Sequence, residues 1–318
     1  MWRWLSETVD DIAVVATHLF GPRMFRASGP IAPPTLEELV AEQRARAPRL
    51  KLPARLERRV GRLRLDLPAV GIETFADFHP ARRPDADTLV VYHHGLGEFP
   101  HDGSAAQVLT RGGLRERVDW IAIRGPNHED RNAIHERLLL SQESFARNLL
   151  ASVFGAREIA TRLRDRYRHI VLGGMSMGGV ISLIEGACGS AFDLHVPLMA
   201  GPDLESVLLR SAFTRAVCPR FRRRCLEEGE GFAARLDLVA RLRDVAGPPI
   251  RAVLASYDRL FQLEAQGAAY ARVPRARYSV VSGGHITAAV QFSALAARFE
   301  EAMEVELWSR RPALAAVA

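Results

Sequence analysis

The sequence is poor in the residues and patterns that mark several classes of protein. Only one of its 43 basic residues is a lysine, Lys51, and 37 acidic residues leave a net charge of +6. The arginines are spread along the whole chain, whereas a nucleic-acid-binding surface needs basic charge concentrated on one face. We therefore expect no nucleic-acid partner.

Cysteine is also scarce, and the count is odd: Cys188, Cys218 and Cys225. Such usage is typical of a reducing compartment. Cys218 and Cys225 have no histidine beside them at a spacing suited to a metal, and the glycine spacings of nucleotide-binding loops are missing. We expect no metal site and no cofactor.

Long apolar runs are missing as well. No stretch of 18 consecutive apolar residues is found, so no transmembrane helix is expected. The apolar run Ile12–Ala16 is too short for a secretory signal and follows two aspartates, Asp10 and Asp11, rather than a basic region. The expected location is cytoplasmic, with peripheral membrane contact as the alternative.

Near the N-terminus, apolar residues recur every three or four positions and predict one face of a helix: Trp2, Leu5, Val9, Ile12, Ala16 and Leu19. This face has two interpretations, an anchor on a membrane surface or a helix packed on the domain. We favour packing, because Glu7, Asp10 and Asp11 would be repelled by anionic lipid.

Apolar residues make up 48% of the chain, enough to bury a sizeable core. Six short apolar runs, most of them separated by helical patterns, read as strands: Thr88–Tyr92, Val118–Ile123, His169–Leu172, Leu194–Met199, Ile250–Ala255 and Tyr278–Val281. This alternation predicts an α/β fold with a mainly parallel sheet flanked by helices. Right-handed crossovers bring the carboxyl ends of the strands to one edge, where sites lie.

The predicted organisation has an N-terminal helical extension over residues 1–60 and a main domain over 61–318. The extension includes a helix Leu36–Ala47 with Thr35 as N-cap and Glu38 three residues later. A last helix is predicted over Ile286–Trp308. Residues 203–247 show helical patterns without a strand, which predicts a small helical cap inserted over the site edge.

The segment Gly174–Gly178 matches the pattern G-x-S-x-G around Ser176. Composition alone predicts about 0.1 such matches by chance, so the pattern gains its weight from the strand before it and the helix after it. Glycines allow the strained turn that presents the Ser176 hydroxyl at the sheet edge, with the Met177 amide directed at a developing oxyanion.

With Asp258 and His285 after two later strands, in the order Ser…Asp…His, the chain resembles the α/β-hydrolase superfamily over residues 60–308. The resemblance implies that Ser176 is the nucleophile, His285 the general base and acid, and Asp258 the orienting carboxylate. The segment His94-Gly95-Leu96 resembles the superfamily's oxyanion loop, which implies Leu96 N–H as the second donor beside Met177.

Other polar residues at this edge have open roles. Asp203 follows the preceding strand and is either a second candidate acid or the N-cap of a cap helix. His94, His128 and Asp203 are candidates for lining the substrate site. The glycine-rich segments at 174–179 and 283–287 are also similar to a little-studied branch of the superfamily, some members of which are linked to membrane lipids.

The expected activity is that of a serine hydrolase acting on carboxylic esters, including lipid-like ones, through an acyl-enzyme. The same three residues also serve thioester and amide cleavage, so a thioesterase or an amidase is the alternative. A second alternative is a non-catalytic binding protein with the same fold.

Overall fold

A computed structural model describes residues 2–19, 22–28, 34–52, 59–228, 231 and 235–309 of the chain. Nine strands form one sheet in the order β1-β2-β3-β5-β4-β6-β7-β8-β9. The strands are β1 (Arg49–Lys51), β2 (Gly61–Leu67), β3 (Ile72–His79), β4 (Thr88–His93), β5 (Val118–Ile123), β6 (His169–Met175), β7 (Leu194–Leu198), β8 (Ile250–Ala255) and β9 (Ala276–Val281).

The six predicted apolar runs form the six strands β4 to β9, which all pair in parallel. Strands β1, β2 and β3 are antiparallel to their neighbours and close one side of the sheet. The prediction of a mainly parallel α/β sheet is confirmed. All six parallel strands end at one edge, as right-handed crossovers require.

Helices cover both faces of the sheet. Their bounds are α1 (Trp2–Leu19), α2 (Leu36–Ala45), α3 (Gly103–Leu109), α4 (Leu114–Arg117), α5 (Arg131–Ala133), α6 (Gln142–Leu163), α7 (Met177–Ala187), α8 (Pro219–Glu228), α9 (Leu238–Asp244), α10 (Leu263–Ala271), α11 (His285–Ala289) and α12 (Phe292–Met303). Side chains of β4 alternate between the two layers. Val91 packs with Ala156 of α6, and Val90 packs in the cluster that holds Phe299 of α12.

Two predicted elements differ from the structure. The extension 1–60 is not only helical, because β1 pairs with β2 and adds an edge strand to the sheet. The last predicted helix is broken between α11 and α12. At the break, the Gln291 backbone is non-helical, and its side-chain amide donates to the carbonyl of Ser282, at 2.5 Å.

The helix α2 begins as predicted. The Thr35 hydroxyl accepts from Glu38 N–H at 3.2 Å, and the Glu38 carboxylate accepts from Thr35 N–H at 2.7 Å. This reciprocal pair is the capping box that the sequence indicated.

Helix α1 packs on the domain through a face that the periodicity did not predict. The side chains turned inward are Ser6, Asp10 and Val14, all buried. Three side chains of the predicted apolar face, Trp2, Leu5 and Ile12, are exposed (70%, 42% and 61%), and Val9 is half-buried. The side chains of Ala16 and Leu19, which complete that predicted face, lie outside the described residues. Within the described ranges, no helix combines the length and the hydropathy needed to cross a bilayer.

The inserted segment at 203–247 forms a π-helical turn (Ser206–Arg210), a 3₁₀ turn (Ala212–Arg215), α8 and α9. The N-terminal extension is tied to it by a parallel bridge between Met24 and Val217. Met24 N–H donates to the carbonyl of Ala216, and Cys218 N–H donates to the carbonyl of Met24, both at 2.9 Å. The extension and the insert therefore meet above the carboxyl edge of the sheet.

Candidate active site

Ser176 lies at the sharp turn between the buried strand β6 and helix α7. Its backbone has φ 52° and ψ −110°, a conformation that non-glycine residues rarely adopt. Its N–H donates to the carbonyl of Leu198 in β7 at 2.8 Å, and its carbonyl accepts from Val180 N–H at 3.0 Å. These bonds hold the strained turn in place.

Two glycines of the motif allow β6 and α7 to approach each other this closely. A methyl group on Gly178 would overlap the carbonyl oxygen of His93, and one on Gly174 would overlap the backbone of Gly178. Only residues without a side chain fit at these positions. The glycine spacing around Ser176 is therefore a packing requirement of the turn.

His285 links Ser176 to Asp258 in one chain of hydrogen bonds. Its Nε2 lies 2.9 Å from Ser176 Oγ, and its Nδ1 lies 2.8 Å from Asp258 Oδ2. Because a carboxylate only accepts hydrogen bonds, Nδ1 carries the proton and Nε2 is left to accept from the serine hydroxyl. The structure thus brings together three side chains that follow β6, β8 and β9.

The Asp258 side chain is held in place by its own loop. Its Oδ1 accepts from the N–H groups of Leu260 and Phe261, at 2.7 Å and 2.8 Å. The Phe261 ring stacks on the imidazole of His285, with the ring centres 5.6 Å apart. These contacts fix the carboxylate and the plane of the imidazole together.

The charge on Asp258 raises the pKa of His285. Burial lowers the pKa of His285, but the charge and hydrogen bond of Asp258, together with the charge of Asp10, raise it above the ordinary 6.5. The imidazolium is therefore the form that the surroundings stabilise. A general base needs this property while it holds a proton taken from serine.

Asp203, the second candidate acid, has a different partner. Its Oδ1 accepts from Ser206 N–H at 3.0 Å, where the π-helical turn begins. Asp203 therefore takes the capping position, which was the second of the two roles predicted for it.

The loop after β4 passes beside Ser176, since a methyl group on Gly95 would lie 3.7 Å from Ser176 Cβ. The Gly95 N–H is engaged by Glu98 Oε2 at 2.9 Å. In the described part of the chain, no acceptor faces the N–H of Leu96 or of Met177, and both residues line the cavity next to Ser176. Two free donors are thus available there.

The histidines His94 and His128 support this loop instead of lining the cavity. His94 Nε2 accepts from Gly125 N–H at 2.9 Å, and its Nδ1 donates to the Gly95 carbonyl at 2.8 Å. His128 Nε2 accepts from Gly97 N–H at 3.1 Å. Burial lowers the pKa of His94 well below its ordinary value and that of His128 to about 4, so both rings are neutral.

The cavity wall does not include His94, His128 or Asp203, the three candidates for lining the substrate site. The reason is the same for all three, because their polar atoms are used to hold backbone groups. A histidine or an aspartate at a strand end serves the backbone as readily as a ligand.

Glu98, which no sequence pattern indicated, holds the loop after β4 by hydrogen bonds from its carboxylate. Its carboxylate accepts from Gly95 N–H and from the Ser104 hydroxyl, at 2.9 Å and 3.0 Å. Burial raises the pKa of Glu98, and these donors work against that effect. A single glutamate in a polar loop carries no sequence signal for such a role.

Comparisons with known proteins identify the architecture. No protein-family model matches the chain, and no curated protein matches its sequence. Among solved structures, a cold-adapted esterase from an Arctic intertidal metagenomic library is 16% identical, with 81% of this chain and 99% of that chain covered and a TM-score of 0.54. An esterase of Pyrococcus furiosus is 12% identical, with 88% and 99% covered and a TM-score of 0.53.

A protein from Butyrivibrio proteoclasticus, solved with ferulic acid bound, is 17% identical, with 73% and 96% covered and a TM-score of 0.52. The chain has the α/β-hydrolase fold. In this α/β-hydrolase fold, the strand ends after β6, β8 and β9 carry Ser176, Asp258 and His285.

A cavity of about 500 Å³ opens above Ser176 and His285 in this chain. Its wall is mostly apolar. The wall includes residues of the N-terminal extension (Val14, Met24), the insert (Leu204, Val207, Leu208, Phe213), the strand-end loops (Leu96, Leu260, Phe261) and the segment between β5 and the first turn of α6 (Ile134, Leu139, Phe145). A pocket of this volume and polarity suits a small apolar ligand.

Ionisable residues on the cavity wall, besides His285, are Glu98, Arg131 and His135. Within the described ranges, no group of three or more histidine, cysteine or acidic side chains is arranged to hold a metal ion. The chemistry available at the cavity floor is that of the serine, the imidazole and the two free N–H groups.

Proposed function

We propose that the chain is a serine hydrolase that cleaves carboxylic esters, with Ser176 as nucleophile, His285 as general base and acid, and Asp258 as the orienting carboxylate. One observation carries this proposal. A hydrogen-bonded chain runs from Asp258 Oδ2 through the imidazole to Ser176 Oγ, and Ser176 Oγ opens onto an apolar cavity.

In the proposed reaction, Ser176 Oγ attacks the ester carbonyl while its proton passes to His285 Nε2. The carbonyl oxygen becomes an oxyanion that accepts from the N–H groups of Met177 and Leu96, and each such donor contributes about 2.7–4 kcal/mol in other serine hydrolases. The alcohol leaves with the proton from His285. Water then adds to the acyl-enzyme by the same route and releases the acid and the free serine.

The cavity wall supports a substrate with an apolar acyl group. Leu204, Val207 and Leu208 from the insert and Met24 from the extension surround the space above Ser176. Burial of an acyl chain against these side chains stabilises its complex by about 0.8 kcal/mol for each methylene group. The esterases among the structurally similar proteins support an ester as the scissile bond.

The apolar outer face of α1 supports peripheral contact with a lipid surface. Trp2 and Trp4 are each 70% exposed, and tryptophan is enriched at membrane–water interfaces. The cavity wall includes Ala13 of the same helix and Ile286 of α11, which packs against α1. A lipid bound to this face would lie beside the cavity, whereas a second protein chain would cover it.

The acidic residues that seemed to oppose lipid contact are neutralised by partners. Glu7 pairs with Arg3 at 2.9 Å, and Asp11 pairs with Arg215 at 3.1 Å. Asp10 is buried against backbone N–H groups. The outer face therefore carries little net negative charge toward a membrane.

The reaction is tested by turnover of p-nitrophenyl esters of graded acyl length. We expect Ser176→Ala to abolish turnover while circular dichroism stays native, and we expect kcat/KM to rise with acyl length until the cavity is full. A matched ester, thioester and amide series ranks the scissile bonds. Full activity in Ser176→Ala would refute the proposal.

The membrane contact is tested with an ester carried in phosphatidylcholine vesicles. The double variant Trp4→Ala/Ile12→Asp should reduce turnover of the vesicle-borne ester relative to a soluble short-chain ester. The control is Val60→Asp, which alters an equally exposed valine before β2. An unchanged ratio in the double variant would contradict contact through α1.

A further inference from the structure

A buried carboxylate from the N-terminal helix reaches the loops that carry Asp258 and His285. Asp10 has no exposed surface. Its Oδ2 accepts from His285 N–H at 2.7 Å and from Arg259 N–H at 3.1 Å, and its Oδ1 accepts from Ile286 N–H at 2.9 Å. One side chain of α1 therefore holds the backbone on both sides of the site.

The two loops that Asp10 joins are otherwise separate. Arg259 directly follows Asp258 after β8, and His285 begins helix α11 after β9. The first N–H groups of a helix have no acceptor inside the helix. Asp10 supplies that acceptor from a different helix, so that the start of α11 is fixed relative to the Asp258 loop.

The residue before His285 leaves room for the Asp10 carboxylate. Gly284, the residue before α11, has no side chain with which to cap the helix. A methyl group on Gly284 would lie 2.6 Å from Asp10 Oδ2 and 2.8 Å from the Ser6 carbonyl. Glycine thus makes room for the carboxylate and leaves the helix N–H groups for it.

The orientation of α1 also fits this role. Ser6, Asp10 and Val14 face the domain, while the exposed side chains include Trp4 and Ile12. A helix that served only to cover the core would bury its apolar face, since burial of apolar area is what stabilises such packing. Here the buried face delivers a carboxylate to the site at the expense of apolar burial.

We propose that Asp10 is a positioning residue that holds His285 and Asp258 in register with Ser176 through their backbones. This inference rests on the proposed function. Without the Asp10 carboxylate, the N–H groups of Arg259, His285 and Ile286 lose their common acceptor. The imidazole then no longer meets the serine hydroxyl and the Asp258 carboxylate at the same time.

The negative charge of Asp10 should affect the pH dependence of the reaction, which a contact made only for packing would not do. The charged groups acting on His285 are Asp258 from the loop after β8 and Asp10 from α1, and both raise the pKa of His285. Removal of the Asp10 charge destabilises the imidazolium. The pKa of His285 then falls, and the acid limb of the pH–rate profile moves to lower pH.

The test compares Asp10→Asn with Asp11→Asn in the full-length protein, using a soluble p-nitrophenyl ester across the pH range of histidine titration. Asp11 is the neighbouring carboxylate and pairs at the surface with Arg215 and Arg259. For Asp10→Asn we expect kcat to fall about 10- to 100-fold, the scale of loss that a small misplacement of a reacting group causes. The acid limb moves to lower pH and KM changes less than kcat.

For Asp11→Asn, both kcat and the acid limb should match the wild type. Asp10→Glu retains the charge at a longer reach, so its acid limb should stay in place while kcat falls. An unshifted acid limb in Asp10→Asn, whether or not stability falls, would overturn the inference. Failure of the proposed function is seen separately, as activity that survives Ser176→Ala.

Discussion

At the scale of single residues, the proposed reactivity of Ser176 depends on a defined destination for its proton. The hydroxyl of serine is a weak nucleophile at its free pKa. The Nε2 atom of His285 lies 2.9 Å from Ser176 Oγ and is the proposed acceptor. In the same proposal, Asp258 stabilises the cation that forms. The strained backbone at Ser176 costs about 1–3 kcal/mol, which the packing of β6 and α7 offsets.

Separate substitutions of the two candidate acids, Asp258 and Asp203, distinguish their roles. Asp258→Asn should lower kcat/KM about ten-thousandfold, because an amide at this position favours the wrong histidine tautomer. It should also move any residual acid limb to lower pH, since a charge that raises the pKa of His285 is lost. Asp203→Asn removes the charge but keeps an oxygen that can accept from Ser206 N–H, so it should leave kcat/KM near the wild-type value. Steady-state kinetics against pH checks both outcomes, and equal losses in the two variants would contradict the assignment.

Some of these residues were predictable from their positions in the sequence, and others were not. Ser176, Asp258 and His285 each follow an apolar run that reads as a strand, and parallel strands bring such ends together. Asp10 and Glu98 bind backbone N–H groups instead. Any buried acidic side chain can do so, and the Asp10 partners lie more than 240 residues away in the chain.

At the scale of elements, α7 is anchored near its C-terminal end by a buried polar cluster around Glu185. Glu185 is fully buried, with its Oε1 2.8 Å from Arg157 Nε and its Oε2 3.2 Å from His195 Nε2. Burial raises the pKa of Glu185, but these partners outweigh that effect and lower it. The stability it contributes is therefore present above the unfolded pKa of glutamate and is lost as pH falls through the lower folded pKa.

Removal of this carboxylate should loosen α7. Glu185→Ala leaves Arg157 and His195 without their buried partner, and such a change costs about 3–5 kcal/mol in the free energy of unfolding. The matched control is Glu301→Ala, which breaks an exposed pair with Arg298 and should cost less than about 1 kcal/mol. Urea unfolding at neutral pH measures both variants. A loss in Glu185→Ala no larger than the control would show that the cluster adds no stability.

Elements that are recognisable from their own residues were predicted well. Elements whose orientation or end depends on contacts with distant residues were not. The parallel strands are apolar on both faces, so their runs identify them in any context. Helix α1 was predicted as a helix but with the wrong face inward, because the donors that hydrogen-bond Asp10 and Ser6 come near them only in the folded chain. The break before α12 depends in the same way on Gln291 reaching the Ser282 carbonyl.

At the scale of the whole molecule, Ser176, Asp258 and His285 meet at one edge of the sheet. The N-terminal extension and the insert form part of the cavity wall above them. The bridge between Met24 and Val217 joins the extension to the insert, so the cavity has walls that no single segment could form. This arrangement explains why the cavity shape could not be predicted from the helical patterns of residues 203–247. It also makes α1 part of the site in two ways, through Ala13 on the wall and Asp10 beneath it.

The most direct test of this account is mass spectrometry of the intact protein after reaction with a fluorophosphonate, which forms a bond only with an activated serine. We predict a single adduct on Ser176, absent in Ser176→Ala and strongly slowed in His285→Ala. An unlabelled wild-type protein would contradict the account. So would labelling of another serine at the same rate in the wild type and in both variants.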